Sequence, residues 1–213
     1  GMKRRLAAML ASLALLAGCQ ELVTETGEYR PTQAGTVDHA LCLLGFTGVP
    51  LTELVTGHQI VTATLNGRRG TFVLDTGANV SVLHAAYADE FGISGEAALP
   101  GAAIGLGGSM NARQVSIDSL RLGPVPIRQS RMAVADLSQL TDVLAPLAGG
   151  AAIHGIIGHD VMEEHRAVID VARPILYLIE ADEAPAPVPV EQCRSADGAE
   201  EETPDDGGSG TQS

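Results

Sequence analysis

The chain has 213 residues, enough for one domain or two, with 18% charged residues, 3% aromatic residues, no tryptophan and 25 glycines. The formal net charge of −13 is unevenly spread: residues 1–18 carry +3, residues 180–213 carry −9, and the body between them keeps −7. A moderately acidic body with an acidic tail argues against a nucleic-acid partner, and many short apolar runs in a glycine-rich chain predict an all-β fold with tight turns.

Residues 1–18 read as a signal peptide. Lys3, Arg4 and Arg5 form a positive start, and Leu6 to Ala17 is an apolar run short for a spanning helix. The run closes on Leu16-Ala17-Gly18-Cys19, which resembles a bacterial lipobox. The resemblance implies cleavage before Cys19 and lipid on its sulfur. With Gln20 next, it also implies a lipoprotein of the cell envelope, anchored in the outer membrane and facing the periplasm. A short anchor or a simple secretory signal is the alternative. Residues 19–56 then form a lipid-anchored tether and N-terminal segment: 20–35 is polar without a sustained period, and the apolar stretch Val37 to Val49 around Cys42 packs on the core. With Cys19 lipidated, Cys42 and Cys193 remain in an oxidising compartment, where a pair tends to be joined; two free thiols are the other reading.

The body opens with His58 to Leu65, which alternates as a half-buried strand. Asn66-Gly67 is a strong hairpin signal, and Thr71 to Leu74 returns as an apolar run that delivers Asp75. A carboxylate at the end of a strand, followed by Thr76-Gly77-Ala78-Asn79, is well held; Gly77 supplies either unusual backbone angles or a close approach. Ala85 to Phe91 predicts a short helix closed by Gly92. The stretch Ala103 to Val115 carries Gly105, Leu106, Gly107, Gly108 and Ser109 at a flexible hairpin tip. It is no phosphate loop, since neither Lys-Ser/Thr nor a helical pattern follows. From Val115 to Val134, short alternating runs broken by Gly123-Pro124 and Pro126 predict antiparallel strands. Asp136 to Gly150 reads as a loop with a helical turn. Ile156-Ile157-Gly158 leads into a short helix, Asp160 to His165, and Val168 to Ile179 predicts a closing hairpin about Arg173-Pro174.

Three of these stretches, in this order, resemble the retropepsin-like aspartic proteases: Val73 to Leu83 their active-site loop, the glycine tip their flap, and Ile156-Ile157-Gly158 the element that packs beside the loop. The resemblance covers roughly 57–180. It implies closed antiparallel β structure with one short helix after Ile-Ile-Gly, a peptide or protein substrate and no cofactor. It also implies Asp75 as the catalytic carboxylate, Thr76, Gly77 and Ala78 as its support, and residues 105–109 on substrate. Such hydrolysis needs two carboxylates, one taking a proton from water and one donating to the carbonyl oxygen. The sequence holds a single Asp-Ser/Thr-Gly, so the second Asp75 is expected from a homodimer partner, with Thr76 bonded across the axis. Ala78, where pepsin-like enzymes carry Ser, cannot donate to the carboxylate, so a mildly acidic optimum is expected. Retroviral enzymes pair an Asp with an Arg where this chain has Asn79 and His159, and the viral C-terminal strand of the dimer's sheet has no counterpart in the pattern.

His154, His159 and His165 match no His-Glu-x-x-His pattern, so surface or packing roles are expected and no metal site. Neither Ser81 nor Ser109 has a base in a recognisable motif. Residues 181–213, acidic with Pro185, Pro187 and Pro189, read as a disordered tail. Two functions fit: an aspartic endopeptidase acting as a homodimer, or a non-catalytic retropepsin-like binding or scaffolding lipoprotein.

Overall fold

The computed structural model describes residues 24–93, 99–105 and 108–193, with the backbone alone for 99–105 and 108–110. In chain order the strands are β1 (Glu25–Thr26), β2 (Thr47–Pro50), β3 (Thr52–Glu53), β4 (Gln59–Leu65), β5 (Arg68–Leu74), β6 (Val82–His84) and β7 (Leu99–Gly105). They continue as β8 (Gly108–Ser116), β9 (Leu120–Leu122), β10 (Val125–Pro126), β11 (Arg131–Ala135), β12 (Gly155–Ile157), β13 (Val168–Asp170) and β14 (Ile175–Leu178). The helices are α1 (Val37–Cys42), α2 (Ser138–Leu144) and α3 (His159–Glu164).

The β4–β5 hairpin pairs without a break from Gln59↔Leu74 to Leu65↔Arg68. Its turn needs positive φ at both central residues, and Asn66 (49°) and Gly67 (79°) supply it. The Asn66 side chain does more than turn the chain. Its amide donates to the Phe91 carbonyl at 2.9 Å, and its oxygen accepts from the Asp118 N–H at 2.8 Å. Tip and neighbouring loops are thereby fixed together.

The larger sheet runs β1-β3-β4-β5-β12-β6-β11-β8-β7, with β9 beside β4. β12 slots between β5 and β6, parallel to the first and antiparallel to the second. β6, β12 and the Phe72-Val73 part of β5 are buried on both faces, which explains their short apolar runs. Phe72, Leu83 and Ile157 enter one core with Leu65, Phe91 and Leu122, whereas Val73, Val82 and Ile156 enter a second with Ala78, Leu137 and Leu144. Each such side chain contributes about 2 kcal/mol of burial. Gly155 permits the slotting, because a Cβ there would lie 2.2 Å from the Val82 carbonyl oxygen.

The fold is mostly β with few short helices, and the expected helix after Ile-Ile-Gly is α3. Strict antiparallel pairing gives way at β5–β12 and β6–β11, both parallel, because β12 and β11 reach their neighbours across intervening chain. The helix expected over 85–91 is two 3₁₀ turns, Ala85–Tyr87 and Asp89–Phe91, closed by Gly92 at φ 70°. Seven residues nucleate an α-helix poorly, and here Phe91 is buried under the sheet.

Structure extends past both edges of the span 57–180. From Thr24 the supposed tether joins the fold: β1 pairs with β3, and the Gly27 N–H donates to the Leu51 carbonyl at 2.9 Å. β14 lies between β13 and β2 in a second, three-stranded sheet. The first part of the acidic tail is a strap: the Ala186 and Val188 N–H groups donate to Leu44 and Leu43, and Cys193 is bonded to Cys42. Alternating prolines hold that strap extended and leave every second N–H for these bonds. The rest of the tail, like Cys19, lies outside the described residues.

Asp38, wholly buried, joins the same two ends. Its carboxylate accepts from Arg173, from the Tyr177 hydroxyl and from the Arg30 N–H. Burial works against its charge, but these donors outweigh burial and hold the carboxyl below the usual carboxylate range. Burial, then the Asp38 bond, pushes the Tyr177 phenol well above its ordinary value.

Candidate active site

β5 ends on Leu74, and the next residue, Asp75, is only 6% exposed. Its N–H donates to the Ile157 carbonyl at 3.0 Å, anchoring the acid to β12. Its Oδ1 accepts from the Gly77 N–H at 2.9 Å. Gly77 serves by close approach rather than by unusual angles, since a Cβ there would meet that same Oδ1 at 3.2 Å. Thr76 and Gly77 are exposed, while Ala78 turns inward at 1% exposure and packs with Val73 and Ile156. One loop thus presents two residues outward and holds its acid from behind.

The Ile156-Ile157-Gly158 stretch lies against this loop. After the Asp75 bond to Ile157, the His159 N–H donates to the Ala78 carbonyl at 2.7 Å. Gly158 is required between them, because a Cβ would lie 2.6 Å from the Val80 oxygen and 2.9 Å from the Ala78 oxygen. His159 points outward toward Glu163 at 3.5 Å, so its backbone, not its side chain, supports the loop.

Sequence reasoning passed over the residues that finish the support. Ser81, wholly buried, donates from Oγ to Asp160 Oδ1 at 2.8 Å and accepts from the Gly158 N–H at 2.9 Å. The Ser81 N–H donates to Asp160 Oδ2 at 3.0 Å, and Gln129 Nε2 donates to the same oxygen at 2.7 Å. The available signal was an acid in the first turn of a helix two residues beyond the glycine, which alone reads as ordinary capping. Ser81 has no imidazole among these partners, so its hydroxyl is structural.

The flap expectation falls on β7 and β8, a hairpin paired from Leu99↔Gln114 to Gly105↔Gly108. Gly105, Gly108 and Ser109 lie on its strands, whereas Leu106 and Gly107 are outside the described residues. β8 joins β11, which is parallel to β6, so the hairpin and the Asp75 loop belong to one continuous sheet. Leu140, Ala145, Leu147 and Ala148, on and after α2, pack with Val80 on the core that contains Ala78.

The histidines serve packing and hydrogen bonding. His154 Nδ1 accepts from the Thr71 N–H at 2.9 Å within an aromatic group of Tyr87, Phe91 and Phe72. Burial lowers its pKa. His165, wholly buried, accepts at Nε2 from the Arg128 N–H and donates from Nδ1 to the Ile179 carbonyl.

No curated protein matches the chain. Among solved structures it is similar to a retropepsin-like aspartic protease from Rickettsia conorii (16% identity, TM-score 0.43, 62% of this chain and 90% of that one). It is also similar to EIAV protease complexed with the inhibitor HBY-793 (20% identity, TM-score 0.35, 51% of this chain and 88% of that one). Residues 61–161, which run from β4 into α3 and carry both Asp75 and the Ile156–Gly158 support, match the aspartyl protease family.

Proposed function

We propose that the chain is an aspartic endopeptidase in which two copies of Asp75, one from each protomer of a homodimer, activate a water between them. The observation that carries this reading is the buried Asp75 at the end of β5, held from behind by β12 while Thr76 and Gly77 face out. Of the facing carboxyls, one is ionised and the other protonated, because two like charges so close do not both ionise. The ionised group takes a proton from the water as its oxygen attacks the peptide carbonyl. The protonated group gives its proton to the carbonyl oxygen, and a gem-diol forms. Return of a proton to the leaving nitrogen then breaks the C–N bond.

Exposed Thr76 supports pairing through the loop face. Of the terminal strands, β14 is flanked on both sides within its own chain by β13 and β2. The second reading is a monomeric binding or scaffolding lipoprotein of the cell envelope. The Leu16–Cys19 sequence supports lipid anchorage, and the Cys42–Cys193 bond supports an oxidising, periplasmic setting.

The test uses the chain from Gln20 without lipid, incubated with a diverse peptide mixture from about pH 3 to 7 beside Asp75→Asn, with oligomeric state read by sedimentation. Cleavage that scales with dimer and disappears in the variant is expected. A folded monomer that cleaves nothing at any pH supports the binding protein instead.

A further inference from the structure

We infer that Asp160 is a positioning residue for the Asp75 loop, acting through Ser81. The inference rests on the proteolytic reading for its catalytic consequence, and on geometry for the rest.

Among the described residues, at least five hydrogen bonds stitch the segment 75–81 to 157–160. Two are purely backbone: Asp75 N–H to Ile157, and His159 N–H to Ala78. The other three pass through Ser81 and Asp160: Gly158 N–H to Ser81 Oγ, Ser81 Oγ–H to Asp160 Oδ1, and Ser81 N–H to Asp160 Oδ2. The carboxylate grips both polar groups of one residue, and the Ser81 hydroxyl passes that grip to the glycine beside the loop. Gln129, just before β11, donates to Oδ2 at 2.7 Å, and the Val161 N–H donates to Oδ1 at 2.9 Å. Strand exit, loop and helix start are held at one point. Through these bonds to Ser81, Gln129 and Val161, Asp160 fixes where the loop ends, and so where Asp75 sits.

All four donors are matched to an ionised carboxylate. The amide of Asp160→Asn keeps an oxygen for the Ser81 hydroxyl and the Val161 N–H, but its NH2 group faces the Ser81 N–H, donor against donor. Asp160→Ala loses every bond. Small displacements of a reacting group are costly, so kcat is expected to fall about tenfold in Asp160→Asn and about a hundredfold in Asp160→Ala, with KM within about twofold.

The experiment measures kcat and KM for wild type and both variants well below their melting temperatures, together with hydrogen exchange of the Asp75, Ser81 and Gly158 amides. Graded loss in kcat, with faster exchange confined to these amides, supports the positioning role. Variants that remain folded with kcat within twofold of wild type and unchanged exchange overturn it, as does exchange that quickens uniformly over the chain. If Asp160→Ala does not fold, Asp160→Asn carries the comparison. A wild-type chain that cleaves nothing overturns the proteolytic reading, and the exchange measurement then still decides whether Asp160 fixes the loop.

Discussion

Two carboxylates organise two distant parts of this molecule, and they are held by different means. Asp38 clasps the chain ends: its partners include the Arg173 guanidinium, with the Cys42–Cys193 bond fastening the same ends covalently. Asp160 clamps the Asp75 loop with neutral donors alone, Ser81, Gln129 and the Val161 N–H, and no ion pair among the described residues involves it. The clasp combines charge with a covalent bond, whereas the clamp uses neutral hydrogen bonds.

The largest way to break this contrast is to remove the disulfide. The bond closes a separation of 151 residues, and its loss in Cys42→Ala with Cys193→Ala is expected to lower stability by about 4 kcal/mol. Urea unfolding reads the loss, while kcat at a temperature where the variant stays folded should change less than about twofold. A matching fall in kcat would mean that clasp and loop are coupled.

The clamp was the hardest part of the molecule to read in the sequence. Asn66-Gly67, the apolar run into Asp75 and Gly158 were legible because each obeys a local rule: turn angles, strand burial, close approach. Asp160 and Ser81 obey a rule only in space, 79 residues apart, and in isolation are a helix-start acid and a serine in an apolar run. The N-terminal segment misled for a related reason. Its polarity from Gln20 to Gly35 suits a tether, yet β1 pairs with β3 and the Gly27 N–H donates to the Leu51 carbonyl, and no short window of sequence shows that.

Next in size is the charge of the clasp. Asp38→Ala leaves the buried Tyr177 hydroxyl without its acceptor and removes one of the two carboxylates on Arg173, which keeps Asp170 at 3.3 Å, at an expected cost of about 3 kcal/mol. The pH dependence has a definite sign. The folded carboxyl lies below its ordinary value, so its contribution is present above the unfolded pKa and is lost as pH falls through the folded one. Acid unfolding below the usual carboxylate range should therefore shallow in Asp38→Ala. An unchanged acid limb would remove Asp38 as its cause.

Gly158→Ala probes the clamp from the other side. The added Cβ meets backbone oxygens at 2.6 and 2.9 Å, so the loop itself must shift. About 2 kcal/mol of stability and about a hundredfold in kcat are the expected losses. This reverses the pattern of the disulfide variant, and equal losses in both would erase the distinction between clasp and clamp.

The smallest effect separates the two regions by pH alone. His154 lies just before β12 and accepts the Thr71 N–H, so a protonated ring would set donor against donor. Burial lowers its pKa, chiefly by disfavouring the charged ring, although Glu90 pulls the other way. A lowered folded value makes its contribution present above about pH 6.5, the ordinary value, and lost as pH falls toward the folded one. His154→Asn places an amide oxygen where Nδ1 accepts, but does not titrate. Its stability should start lower, because ring packing against Tyr87 and Phe91 is gone, and should then run flatter than wild type from pH 7.5 to about pH 5. The Asp38 limb lies at lower pH and should persist unchanged in this variant. Parallel curves for His154→Asn and wild type across that window would show that the mild-acid loss arises elsewhere, and would leave the clasp as the only region whose acid response has an assigned group.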